Sequence, residues 1–177
     1  KINEITNAKI PIVDVTKEDN STKGQKHYFL RVPSRKKEEY LRRLTYVDGF
    51  HGLVFFNQLS ELGMMEEKLQ FRGVSVGSLA SDQNKLVRKA ALEQFKNKKL
   101  TALFTTDVAA RGLDIHHLPY VVNAEVPLTE ESYLHRSGRT GRMGKDGMVI
   151  TFVQENTIRD LKRLTRNMTV EIEEIFL

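Results

Sequence analysis

The sequence predicts an α/β domain built on a mainly parallel sheet with helices on both faces. Short apolar runs recur along the chain, at 27–32, 52–56, 74–79, 100–105, 120–123 and 148–153. Stretches with helical spacing separate them. The runs are continuous rather than alternating, which is the pattern of strands covered on both faces.

Taken in order, residues 1–25 are polar, with Pro11 and an Asp19-Asn20-Ser21-Thr22-Lys23-Gly24 cluster, and read as a linker or N-terminal arm. His27 to Val32 is the first strand, and Ser34 is placed as the cap of a charged helix running to about Val47. Gly52 to Phe56 is short enough for a buried strand. Leu59, Leu62, Met65 and Leu69 then give Asn57 to Gln70 a helical stripe. Val74 to Leu79 is a strand, and Ser81-Asp82 is expected to cap a helix ending near Lys98, with Leu86, Ala90 and Phe95 as core positions. Leu100 to Thr105 and Tyr120 to Asn123 follow as strands. Thr129 is a good N-cap, with Glu130 and Glu131 in the first turn of an amphipathic helix. Met148 to Val153 is the last strand, and Thr157 to Leu177 reads as a helix plus tail. The domain body is thus placed at 26–165 and the tail at 166–177.

Composition bounds the function. At 177 residues the chain suits one domain, long enough to bury about two-thirds of its unfolded surface. There is no cysteine, which excludes disulfides and thiolate metal sites and suits a reducing compartment; a cytoplasmic location is the expectation. The apolar runs are too short to span a bilayer, and no signal-peptide pattern precedes them. A first residue of Lys1 rather than Met is what an excised domain would show. The net charge of +5 favours nucleic acid only weakly. Its distribution says more: from His135 to Lys145 stand Arg136, Arg139, Arg142 and Lys145 with no acid.

Ligands of parallel sheets gather at the carboxyl ends of the strands. Asn57, Thr106 and Asp107 each follow a strand directly, so they are site candidates, with helix capping as the equal alternative for Asn57. Arg139 and Arg142 stand three apart, flanked by Gly138 and Gly141. On a helical turn both guanidiniums point the same way, and the glycines let another surface approach. Two convergent guanidiniums without a local carboxylate suit an anion with several oxygens, such as a triphosphate. An arginine- and glycine-rich surface loop has the same composition. In the second stretch, Leu103 to Ile115, Thr106 can offer a hydroxyl and a backbone N–H to a phosphate, and Asp114 can accept from a ribose hydroxyl. The bland reading is a capped turn, with Asp107 as N-cap and Asp114 as a turn residue.

Together and in this order, Thr106 to Ile115 (TDVAARGLDI), Val121 to Pro127 (VVNAEVP) and His135 to Arg142 (HRSGRTGR) resemble the second motor domain of DEAD-box RNA helicases. Leu53 to Asn57 is similar to the strand motif that opens this domain's signature set. The resemblance covers roughly residues 27 to 153. It implies a RecA-like fold, ATP and Mg²⁺ as cofactors, and RNA as partner. By resemblance, Arg139 and Arg142 are arginine fingers toward the γ-phosphate, Asp114 and Gly112 meet the nucleotide, and Thr106 meets an RNA phosphate. His135 and Arg136 are interdomain or network residues, and Arg111 supports the closed interface. Arg88 falls on the arginine of the family's RNA-contacting segment. That segment departs from the family pattern: Lys85 stands at its glutamine and Ala80-Ser81 at its His-Gly. Lys85 either replaces the glutamine's contact with a point charge or is a solvated helix residue. Ser137 stands where the family usually has a branched apolar residue.

The sequence contains neither G-x-x-x-x-G-K-[ST] nor an Asp-Glu-Ala-Asp tetrad. Phosphoryl transfer is positioning plus charge stabilisation, so a chain with fingers but no phosphate cradle or Mg²⁺ site should not hydrolyse ATP alone. The expected partner is an N-terminal RecA-like domain of the same protein, which would hold the metal. Rival readings are a freestanding RNA-binding module, a DNA-directed motor of the wider superfamily, and a protein-docking domain. Against the first, aromatics are 8% of the chain with no Trp, and Phe55, Phe56, Phe104 and Phe152 lie inside apolar runs rather than on a stacking face.

Overall fold

Among the described residues the six apolar runs and one short further strand form a seven-stranded sheet in which every pairing is parallel. The computed structural model describes residues 24–141 and 146–177. Its strands are β1 (Gln25–Arg31), β2 (Gly52–Phe55), β3 (Val76–Leu79), β4 (Ala102–Thr105), β5 (Tyr120–Asn123), β6 (Gly147–Val153) and β7 (Ile172–Glu174), in the order β3-β4-β2-β5-β6-β1-β7. The helices are α1 (Lys37–Thr45), α2 (Leu59–Phe71), α3 (Lys85–Lys96), α4 (Asp107–Ala110), α5 (Glu130–Ser137) and α6 (Ile158–Asn167).

Alternation along each strand divides the core between the two faces. Val54, Phe104, Val122 and Ile150 pack with Leu41 and Leu44 of α1 and Leu62, Met65 and Leu69 of α2. Leu53, Phe55, Leu103 and Val121 point the other way, onto Phe95 of α3 and Ala109 and Ala110 of α4. Phe29, Val149 and Val153 meet Tyr133 of α5 and Leu161 of α6. Register then decides what the strand ends bring together. Phe55 sits opposite both Thr105 and Asn123, so Asn57, Thr106-Asp107 and Glu125 emerge side by side at the carboxyl edge.

Several local expectations are corrected. Ser34 begins a 3-10 turn, Ser34–Lys36, and makes no capping bond to α1. Asn84, not Ser81-Asp82, caps α3, with its side chain accepting from Leu86 N–H at 2.6 Å. Leu86 is 75% exposed and Ala90 is also exposed, while Phe95 is core. At about 100° per residue, Leu86 and Phe95 lie on opposite sides of the helix; the inward stripe is Arg88, Ala91, Leu92 and Phe95. Within the stretch read as a tail, Ile172–Glu174 pairs with β1, and Ile175 enters the core at 1% exposure. So short a strand has too few residues for its period to be read.

Beneath α5 lies an ionisable group with a measurable signature. His27 is fully buried, stacked on Tyr133, and its Nδ1 shares a 2.8 Å hydrogen bond with the Tyr133 hydroxyl. Burial pushes its pKa down to about 3. An unfolded histidine titrates near 6.5, so between these values the unfolded chain holds a proton that the folded chain does not. Stability is therefore full above about pH 6.5 and declines as pH falls toward 3, by on the order of a few kcal/mol. Urea unfolding at pH 7.5 and at pH 5 should show the loss, and His27→Gln should flatten it. An unchanged slope in that variant would assign the acid sensitivity elsewhere.

Candidate functional site

The centre of the strand-end edge is Arg136, on the inward face of α5 and 1% exposed. Its Nε donates to Asp107 Oδ1 at 2.8 Å, and Nη2 donates to Asp107 Oδ2 at 2.8 Å and to Asn57 Oδ1 at 2.7 Å. Nη1 donates to Asn123 Oδ1 at 3.2 Å and to the Glu125 carbonyl at 3.3 Å. All the guanidinium donors are used within this lobe, over the Phe55 ring. Arg136 is thus tied into a buried network within this lobe. Burial pushes the Asp107 carboxyl up, but Arg136 and the Ser132 hydroxyl outweigh it and hold the pKa below the ordinary value.

Asn57 does not cap α2. Its N–H donates to Glu125 Oε1 at 2.6 Å and its Nδ2 to the Val126 carbonyl at 3.1 Å, while Gln58 occupies the N-cap without a side-chain bond. Asp107 is not a cap either: Thr106 caps α4, with its hydroxyl accepting from Ala109 N–H at 3.3 Å. Thr106 is only 7% exposed; its hydroxyl accepts from Ala109 N–H and keeps its hydrogen to donate to a phosphate oxygen.

The short helix α4 is held by two arginines through adjacent carbonyls. Arg88 Nη2, from α3, donates to Ala109 O at 3.2 Å. Arg139 Nη2, from the turn after α5, donates to Ala110 O at 2.8 Å, and its Nη1 donates to the carbonyls of Leu113 and Ile115. Among the described residues Arg139 has no carboxylate bonded to it; burial lowers its pKa and the nearby Asp114 charge offsets part of that. Lys85, the first residue of α3, is exposed, as are Arg111 and His135. Arg142 lies outside the described residues.

Beside Arg139 opens a cleft of about 700 Å³ lined by Ala110, Arg111, Gly112, His116, His135 and Gly138 among others. That volume suits a small organic ligand. Gly112 has φ +80°, with nothing within 4 Å of the place a Cβ would take, so its backbone is open to a ligand. The Asp114 side chain is 94% exposed, with His116 Nε2 at 3.4 Å from its Oδ1. Gly112 and Arg139 line this cleft and the Asp114 carboxylate lies near Arg139, so the groups present can accept from a hydroxyl, admit a ligand to the backbone and pair with an anion. No group of three or more potential metal ligands occurs among the described residues.

His116, Asn123 and Glu125 carry no assigned role in the sequence reading. Asn123 and Glu125 stand inside a quoted motif, but only the sheet register makes them partners of Arg136 and Asn57. For His116 the one available signal is its position two residues after Asp114.

A parallel sheet with an arginine turn and a ligand-sized cleft at its carboxyl edge has the architecture of a RecA-like lobe. Residues 36–144 match the helicase conserved C-terminal domain family. The chain belongs to that family, as the C-terminal domain of a DEAD-box helicase. It is 39% identical to the probable ATP-dependent RNA helicase YfmL of Bacillus subtilis over 84% of this chain and 39% of that protein. A DEAD box protein from Methanococcus jannaschii shares its fold with a TM-score of 0.78 at 32% identity, over 88% of this chain and 42% of the other. Dbp5 of S. cerevisiae, in a structure bound to RNA and ADP BeF3, has a TM-score of 0.80 at 26% identity, over 86% and 42%. The chain spans about two-fifths of the curated relatives it matches first. Among the described residues no helix is long and apolar enough to cross a membrane.

Proposed function

We propose that this chain is the second motor lobe of an ATP-dependent RNA helicase, lending charge to ATP held mainly by an N-terminal RecA-like lobe. The observation that carries the reading is the sharing of α4. Arg88, the candidate RNA contact, and Arg139, the candidate finger, hold the adjacent carbonyls of Ala109 and Ala110. In this reading the four-residue helix is the element through which the two sides communicate. The structure of Dbp5 with RNA and ADP BeF3 supports the pairing of ligands.

In this reading Asp114 accepts from the ribose hydroxyls and Gly112 lets the nucleotide approach the backbone. Arg139 and Arg142 place positive charge against the negative charge of the transferring γ-phosphoryl group. Bound ATP with Mg²⁺, the metal held by the other lobe, supplies the phosphoanhydride whose cleavage resets the cycle. Thr106, Arg88 and Lys85 hold RNA phosphates, so recognition tolerates sequence, and 2′-hydroxyls favour RNA over DNA. Arg111 and His135, both exposed beside the cleft, meet the other lobe on closure, and closure bends one RNA strand and destabilises local pairing. The motor acts in the cytoplasm.

The test joins this chain to an N-terminal RecA-like lobe and measures ATP turnover with and without RNA. RNA should stimulate the joined protein, whereas this chain alone should stay at background and DNA of the same sequence should stimulate poorly. RNA binding without stimulated turnover would favour a simple binding module, and equal stimulation by DNA a DNA-directed motor.

A further inference from the structure

Gln25, the first residue of β1, is 2% exposed and reaches far along the sequence. Its Nε2 donates to the Ser137 carbonyl at 2.6 Å and to the Thr140 carbonyl at 3.2 Å. Both amide hydrogens are thus spent on the two carbonyls that bracket Gly138 and Arg139. The backbone beside it fits the same turn. Gly147 N–H donates to Gly24 O at 2.8 Å, and a Cβ on Gly141, at φ +90°, would overlap the Gly24 carbonyl and crowd the Gln25 side chain. Across the turn stands a wall of backbone. Leu118 N–H donates to Arg139 O at 3.0 Å, Gly141 N–H donates to Leu118 O at 3.4 Å, and the Thr140 hydroxyl also donates to Leu118 O. One wall is main chain, and on the other the side-chain hydrogen bonds come from Gln25.

We propose that Gln25 is a positioning residue that sets the aim of Arg139. A neutral amide with paired N–H donors holds both carbonyls here without bringing a charge into the buried site. A carboxylate there would face both oxygens and repel them, and alanine would leave them without donors. The strand that opens the domain and the arginine turn then move as one unit. The proposal rests on the reading of Arg139 as a phosphate finger.

Gln25→Ala and Gln25→Glu, each in the two-lobe protein, test it. The kcat of RNA-stimulated turnover should fall about tenfold, the scale of a small misplacement, with the KM for ATP within about twofold. Leu44→Ala, in the core on the opposite face, serves as the folding control: it should lower the melting temperature and leave kcat unchanged. In the 177-residue chain the NMR resonance of the Arg139 Nε–H should move in Gln25→Ala and stay in Leu44→Ala. A wild-type kcat in Gln25→Ala, or an equal kcat loss in Leu44→Ala, overturns the proposal. The two readings fail separately. Inactive Arg139→Ala beside fully active Gln25→Ala removes only the positioning role, whereas active Arg139→Ala removes the finger first.

Discussion

Replacing Arg139 by alanine in the two-lobe protein lowers RNA-stimulated ATP turnover by about a thousandfold or more, with ATP affinity changed only a few-fold. The size follows from what an arginine finger supplies: charge on the transferring phosphoryl group that matters in the transition state and hardly in the ground state. The split follows from geometry. Arg139 is tied to carbonyls of its own lobe, while the cradle that binds the nucleotide's inner phosphates is expected on the other. Arg139→Lys should recover little, because an ammonium lacks the planar fork that holds three carbonyls while presenting its remaining donors. Single-turnover kinetics beside ATP titration measures both quantities. Turnover within a few-fold of the parent would remove Arg139 from the chemistry.

The largest stability effect belongs to Arg136. Arg136→Ala should cost about 3 kcal/mol, because removing one member of a buried polar network leaves its partners unpaired. The stranded groups are the Asp107 carboxylate and the side-chain oxygens of Asn57 and Asn123. Asp107 is 40% exposed, so water recovers part of its loss; Asn123 is fully buried and recovers none. For a domain of this size the melting temperature should drop by roughly 6–12 °C, at about 2–4 °C per kcal/mol. A shift under 2 °C or so would mean that the network relaxes without its centre. Arg136 and Arg139 stand one turn apart in one motif and are expected to fail differently, one in folding and the other in catalysis.

That contrast marks the boundary of what local pattern can reveal. The motif order around Thr106 to Ile115 and His135 to Arg142 is legible as chemistry, because glycines beside guanidiniums and an acid after a strand are readable from residue types alone. Which arginine faces inward is not. Arg136 and Arg139 differ by three positions on a turning backbone, and the phase of the turn is set by Tyr133, Arg136 and Ser137 packing onto the sheet. Helix phase likewise separates Leu86, expected as core, from Phe95, which is core. The cap of α4 passes from Asp107 to Thr106 because the strand ends one residue before the threonine and the helix starts one after.

The chain by itself determined a parallel α/β lobe, the family it belongs to and the turn that carries its arginines. Each of those depends on residues near one another in sequence. Tertiary structure alone decided that Asn57, Asp107, Asn123 and Glu125 converge on Arg136, that Arg88 and Arg139 share α4, and that Gln25 reaches the arginine turn. These contacts join residues 11 to 115 positions apart, and strand order and register bring them within hydrogen-bonding distance. No local periodicity encodes that register, because it is settled by how the two sheet faces pack.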